Sequence, residues 1–128
     1  LEEIKKIKFD KKNFEFIIET TESILKINEE FIKLESKNFK NFALIYSLML
    51  RLRGLYCIEC LAKNKKFTNE GFREYAISKG VNKLDKLYSI YRSVRDKKRS
   101  AEEISKEIVI NLYNVVKNET KKKSKKIN

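Results

Sequence analysis

Residues 38–63 read NFKNFALIYSLMLRLRGLYCIECLAK, and the fold turns on how this stretch is taken. It holds no proline and a single glycine, so nothing in it forbids one long helix. Wound as a helix from about Asn38 to Lys63, it spreads Phe39, Phe42, Ile45, Tyr46, Met49, Leu52, Tyr56, Cys57, Cys60 and Leu61 around nearly the whole circumference. A helix apolar on most sides is the buried, central one of its domain. The other helices therefore have to surround it.

Four further helices can be placed around this one. Upstream, Lys11 to about Glu35 carries Phe14, Ile17, Ile18, Ile24, Leu25, Phe31 and Ile32 at helical spacing, with Thr21 and Asn28 filling the gaps. Downstream, Asn64 and Lys65 allow a turn. Thr68 then suits the N-cap of a short helix, NEGFREYAISK, which stops at Gly80. Asn82 is positioned to cap a fourth helix, with Leu84, Leu87, Tyr88, Tyr91 and Val94 on one side. Ser100 and Glu103 have the S-x-x-E spacing of a capping box ahead of Ile104, Ile108, Leu112, Val115 and Val116. Short connections set neighbouring helices antiparallel. The expectation is an all-α, up-and-down antiparallel bundle of four to five helices over residues 1–118. The Lys-rich stretch 119–128 is expected to be a basic disordered tail.

The 128 residues suit one domain, and 41% apolar with 38% charged residues is a globular composition. Lys and Arg exceed Asp and Glu by 12. Residues 117–128, with six Lys and one Glu, hold +5 of that, leaving +7 on the rest. Such a field draws polyanions, RNA among them. No stretch is long and apolar enough to span a membrane. The opening LEEIKKIKFDKK lacks the apolar core of a signal peptide, and a first residue Leu rather than Met fits a piece of something longer. Two Cys are too few for a disulfide framework, which points to a reducing, cytoplasmic setting.

The chemistry ruled out is extensive. With no His there is no Ser-His-Asp or Cys-His catalysis and no HExxH zinc site. Neither a Walker A loop nor a GxGxxG turn occurs, so no cofactor and no metal is expected. Cys57 and Cys60 share a helical face, and core packing accounts for them better than redox or zinc chemistry. Three basic groups remain. Tyr88, Tyr91, Arg92 and Arg95 fall at spacings of three and four, followed by Lys97, Lys98 and Arg99. Arginine forks beside tyrosine rings can hold a phosphate, although cations also suit a helix C-terminus. Arg51 and Arg53 stand in the apolar helix, where a charge must be paired or face a cleft. For one of the two an ion pair with Asp85, Asp96 or Glu74 is expected. The third group is the tail, Lys121, Lys122, Lys123, Lys125 and Lys126.

LRLRGLYCIECLAKNKKFTNEGFREYAISKG (50–80) followed by LDKLYSIYRSVRDKK (84–98) resembles the HEPN helical domains that accompany minimal nucleotidyltransferases in archaea and bacteria. Their motif is close to L-Y-x-x-R-x-x-A-D. Leu87 and Tyr88 precede here, Arg92 takes the arginine position, Asp96 the acidic one, and Arg95 stands where alanine is common. Ribonuclease members place a histidine beyond the arginine with four to six residues between. The matching positions here are Lys97, Lys98 and Arg99, and an ordinary Lys is no general base at neutral pH. The resemblance then implies a non-catalytic domain that binds nucleotide or RNA, as the accessory or substrate-binding part of a nucleotidyltransferase system. The nucleotidyltransferase motif, a Gly-Ser followed by paired Asp, is absent from the sequence, so that catalytic domain would lie elsewhere. A homodimer is also among the partners implied. The alternatives are a divergent HEPN ribonuclease and a structural dimerisation module.

Overall fold

The computed structural model describes residues 11–99 and 103–127. They form five helices and one two-residue bridge of strands: α1 (Lys11–Leu34), β1 (Asn38–Phe39), α2 (Phe42–Ala62), α3 (Asn69–Ser78), α4 (Leu84–Arg95), β2 (Ile104–Ser105) and α5 (Lys106–Ile127). The all-α expectation is met apart from the bridge. Asn38 pairs with Ser105 and Phe39 with Ile104, antiparallel. Phe39 thus leaves the helix in which its sequence placed it, and the Asn41 side chain caps α2 by accepting from the Leu44 N–H at 3.2 Å.

That bridge sets the layout. It holds the exit of α1 beside the start of α5, where the Lys106 ammonium donates to the Glu35 carbonyl at 2.9 Å and its N–H to the Lys37 carbonyl at 2.8 Å. Further along, the Tyr113 hydroxyl donates to Glu29 at 3.2 Å, so α1 and α5 run antiparallel. At the far end Lys123 faces Glu59 at 3.9 Å, so α2 runs parallel to α5. The chief partner of α1 is therefore α5, not its neighbour in sequence, while α2 packs on both α4 and α5. Leu48, Met49, Leu52 and Leu55 of α2 meet Leu87 and Ile90 of α4 and Val109, Leu112 and Val116 of α5 in one core.

Capping differs from expectation at two helices. Thr68 caps α3 as read, its hydroxyl accepting from the Gly71 N–H at 2.9 Å. Asn82 does not cap α4. The residue there is Lys83, in the left-handed region at φ 54°, without a side-chain cap. Asn82 instead donates its N–H to Asn111 of α5 at 2.8 Å, and Asn111 donates back to the Gly80 carbonyl at 3.0 Å. A cross-chain clamp thus replaces a local cap. Ser100 lies outside the described residues. Glu103 precedes β2, so it does not open α5, which begins at Lys106.

The inner face of α1 is Phe14, Ile18, Thr21, Leu25, Asn28 and Ile32, all buried. Ile17 and Phe31, read as part of that face, are 39% and 49% exposed. Cys57 likewise is exposed, while Cys60 is buried as expected. Partial desolvation and, after it, the charge of neighbouring Cys60 push the Cys57 thiol up, away from the reactive thiolate.

The largest departure concerns the lysine-rich end. It is no loose tail: α5 continues to Ile127, and Glu119, Thr120 and Lys123 are buried. Glu119, 3% exposed, accepts from the Tyr75 hydroxyl at 2.7 Å and faces Lys79 and Lys123, each at 3.7 Å, and Lys122 at 3.5 Å. Lysine stems cover apolar surface while their ammonium groups converge on one carboxylate. This arrangement, with no apolar stripe, holds the last turns against α2 and α3. Burial pushes the Glu119 carboxyl up, but the Tyr75 hydroxyl and the three ammonium groups outweigh it and hold the group below the usual carboxylate range. Burial and the same hydrogen bond push the Tyr75 phenol far up.

Two expectations follow. Because the folded pKa of Glu119 is lowered, its stabilisation is complete above the ordinary carboxylate range and is lost as pH falls through the folded value. Glu119→Gln should cost about 2–4 kcal/mol at neutral pH, and urea midpoints measured against pH should show a shallower acid loss in the variant. Gly71 lies against Tyr56, whose hydroxyl a Cβ there would strike, and the Thr68 hydroxyl would be 2.9 Å away. Phe67, Phe72 and Tyr75 hold the Tyr56 ring, with centroids at 5.2, 6.1 and 5.1 Å. In Gly71→Ala, overpacking of about 1–3 kcal/mol outweighs a helix-propensity gain of at most about 1 kcal/mol, so the denaturant midpoint should fall.

Candidate basic and aromatic site

The last two turns of α4 and the middle of α2 share one aromatic stack. Tyr46 and Arg53 are seven residues apart, on one face of α2. Tyr91 of α4 lies flat against Tyr46, with ring centroids 5.0 Å apart and planes at 13°. Tyr88 follows one turn earlier on α4, 5.8 Å from Tyr91 and tilted by 34°. Three guanidinium groups lie over these rings. Arg92 is 5.7 Å from the Tyr88 centroid, Arg95 is 5.9 Å from Tyr91, and Arg53 is 5.8 Å from Tyr91. Arg53 also lies 5.2 Å from Phe67 and 5.0 Å from Phe72.

These contacts explain how Arg53 is tolerated in an apolar helix. No ion pair to it occurs among the described residues. Asp85 pairs with Arg73 and Asp96 with Arg95, so neither serves Arg51 or Arg53, contrary to the expectation for one of them. The negative faces of three rings take the place of a carboxylate. Its Nη1 is buried without a hydrogen-bond partner, as is Nε of Arg51. Arg51 leaves α2 from nearly the opposite side, and no ring contact is made by it among the described residues. The structure therefore joins Arg53 to the α4 residues and leaves Arg51 apart.

How α4 ends shapes the charge. Lys97 adopts the left-handed conformation at φ 57°, and the Lys98 N–H returns to the Ser93 carbonyl at 2.8 Å, closing the helix. This turn carries Lys97, Lys98 and Arg99, all exposed, on from Arg92 and Arg95. Asp96 is the carboxylate of the cluster, receiving Arg95 Nε at 3.1 Å and Nη2 at 3.5 Å. The Arg95 hydrogen bond, together with the charges of Arg95, Lys98 and Arg92, holds the Asp96 carboxyl below its usual range. The same bond raises Arg95. One carboxylate thus sits in a field set by several cations.

Chemically, the site offers permanent positive charge on planar donors held by rings. Ring contact limits the orientations of each guanidinium; the exposed Arg92 fork is able to meet a phosphate two-pronged, while Arg95 shares its Nε and Nη2 with Asp96 and Arg53 keeps its Nη1 buried. The roles of the two tyrosines differ. Tyr91 is 6% exposed and is a pedestal, while Tyr88 is half-buried and is the ring with a face nearer solvent. In the sequence Tyr46 reads only as part of the apolar surface of α2, and nothing there sets Phe67 or Phe72 apart as site residues. The seven-residue spacing of Tyr46 and Arg53 was the available signal, masked by the apolar residues all around α2. Among the described residues no group of three His, Cys, Asp or Glu could hold a metal, and no helix is long and apolar enough to cross a membrane.

Comparison of the chain with protein-family models, with curated proteins and with solved structures finds no match in any of the three.

Proposed function

We propose that this chain is a HEPN-like helical domain that binds RNA or nucleotide through phosphate without cutting it, as an accessory part of a nucleotidyltransferase system. The observation that carries the binding is the convergence of Arg53, Arg92 and Arg95 on the Tyr88–Tyr91 pair, with Asp96 as the carboxylate within it. Nucleic-acid grooves join cations for the backbone to aromatic faces for the bases. Arg92 and Arg95 meet the phosphates, Tyr88 offers its face to a base, and Lys97, Lys98 and Arg99 extend the positive field. The HEPN reading itself rests on the resemblance of residues 50–80 and 84–98.

Cleavage finds less support. The sequence has no His, and Lys97, Lys98 and Arg99, which stand beyond Arg92 with four to six residues between and which a HEPN ribonuclease would use, are cations.

The test is binding of a short labelled RNA over a salt series. Each phosphate neutralised steepens the log–log slope by about 0.7–0.9. Arg92→Ala with Arg95→Ala should weaken binding by about tenfold or more and flatten the slope by about 1.5. Replacing Lys121 and Lys125, exposed on the far end of α5, by Gln should have a smaller effect. Equal losses from both pairs would reduce the site to general electrostatics. RNA shortened by clean protein would restore the ribonuclease reading. Competition by a mononucleotide separates a nucleotide pocket from an RNA surface.

A further inference from the structure

The charge around Tyr88 is one-sided. Along this face of α4, Asp85 comes three residues before Tyr88 and Arg92 four residues after it. Asp85 is paired with Arg73, so the side before Tyr88 carries no net charge. Lys86 leaves the helix from the opposite side, and Lys83 stands before the helix begins. On the side after Tyr88, five cations, Arg92, Arg95, Lys97, Lys98 and Arg99, stand with the single carboxylate of Asp96. Arg92 is exposed, and among the described residues no carboxylate pairs with it.

This turn offers an anion side chains and no backbone. The N–H groups of Asp96, Lys97 and Lys98 are spent on the carbonyls of Arg92, Val94 and Ser93. Guanidinium and ammonium groups are then what an anion meets, and they respond first to how much charge it brings. The ring platform is limited too. Tyr91 is buried and already stacked with Tyr46, so Tyr88 is the open ring of the stack and takes one base.

We propose that the site selects a terminal phosphate, the doubly charged monoester of a mononucleotide or of an RNA end, over the phosphodiesters inside a strand. The proposal rests on the phosphate-binding reading above and narrows its ligand. An internal nucleotide carries one charge on each side of its base. A terminal monoester, with a second pKa of about 6, puts about two charges on one side at neutral pH. Its three free oxygens can take the Arg92 fork and the neighbouring cations together. The asymmetry of the ligand then matches that of the helix face, with the base on Tyr88, the double charge on the Arg92 side, and the less charged side against the Arg73–Asp85 pair.

The test is one short RNA at about pH 7.5, made with a 5′-phosphate, with a 3′-phosphate, with both ends hydroxyl, and with each phosphate capped as its methyl ester. One phosphorylated end should bind about tenfold tighter than the hydroxyl-ended RNA. The methyl ester keeps the phosphate and loses one charge, and it should return most of that gain. A nucleoside monophosphate should compete where the nucleoside does not, and its affinity against that of each phosphorylated end tells a free nucleotide from an RNA terminus. Arg92→Ala should cut the preference to about threefold or less without moving the thermal midpoint, since the side chain is exposed. Lys121→Gln with Lys125→Gln should leave the preference as it was. Equal affinity for phosphorylated and hydroxyl ends overturns the proposal, and if Arg92→Ala with Arg95→Ala still weakens both, the phosphate-binding reading stands without it. A preference that survives those two changes also overturns it, because the end is then held elsewhere. RNA binding indifferent to Arg92 and Arg95 removes the reading and the proposal together.

Discussion

Everything in this fold answers to one demand, the enclosure of α2. A helix with Leu48, Met49, Leu52 and Leu55 fully buried and apolar residues on most of its circumference cannot rest against a single neighbour. It takes α4 on one side and α5 on another, and α5 brings α1 with it. The short strand bridge is a consequence, since enclosing α2 requires the segment before it and the segment before α5 to lie side by side. Gly71 serves the same end, letting the first turn of α3 approach close enough to cover Tyr56.

Apolar spacing made the helices legible, including Thr68 as the cap of α3 and α2 as the central element. What could not be read depended on contacts far apart in sequence. Asn82 has the chemistry of a cap, but Asn111, on a different helix, engages its backbone first. Phe39 suits a helix as well as a strand until Ile104 arrives opposite. The α5 end was misread for a related reason. Lysine-rich sequence without an apolar stripe looks like tail, and only the buried Glu119, met by Tyr75 from α3, converts those lysines into packing. On α1, Ile17 and Phe31 share a helical pattern with the core, and spacing alone could not say which of two adjacent seams α5 would choose.

The basic and aromatic site was legible in its α4 half, because Tyr88, Tyr91, Arg92 and Arg95 are close in sequence. Its α2 half was not. Arg53 could be seen as anomalous, but the rings that accept it come from two other helices, α3 and α4, and from the loop between α2 and α3. Arg51 looked equivalent and is not, because two residues of helix turn the side chain to nearly the opposite side. Holding a guanidinium on ring faces instead of against a carboxylate leaves its charge uncancelled. A buried ion pair would have cancelled that charge toward any outside anion.

The pairing of α1 with α5 also governs when the protein can become folded. Contacts such as Glu29 with Tyr113 join residues 84 positions apart, and the strand bridge spans a comparable loop. Chains closed by such distant contacts fold more slowly than those built from local ones. During synthesis α2 emerges well before the helix that covers it, so its leucines remain open to water, or to a chaperone, until the lysine-rich end has been made. The order of the helices along the chain thus places the most aggregation-prone segment in the interval before its cover exists.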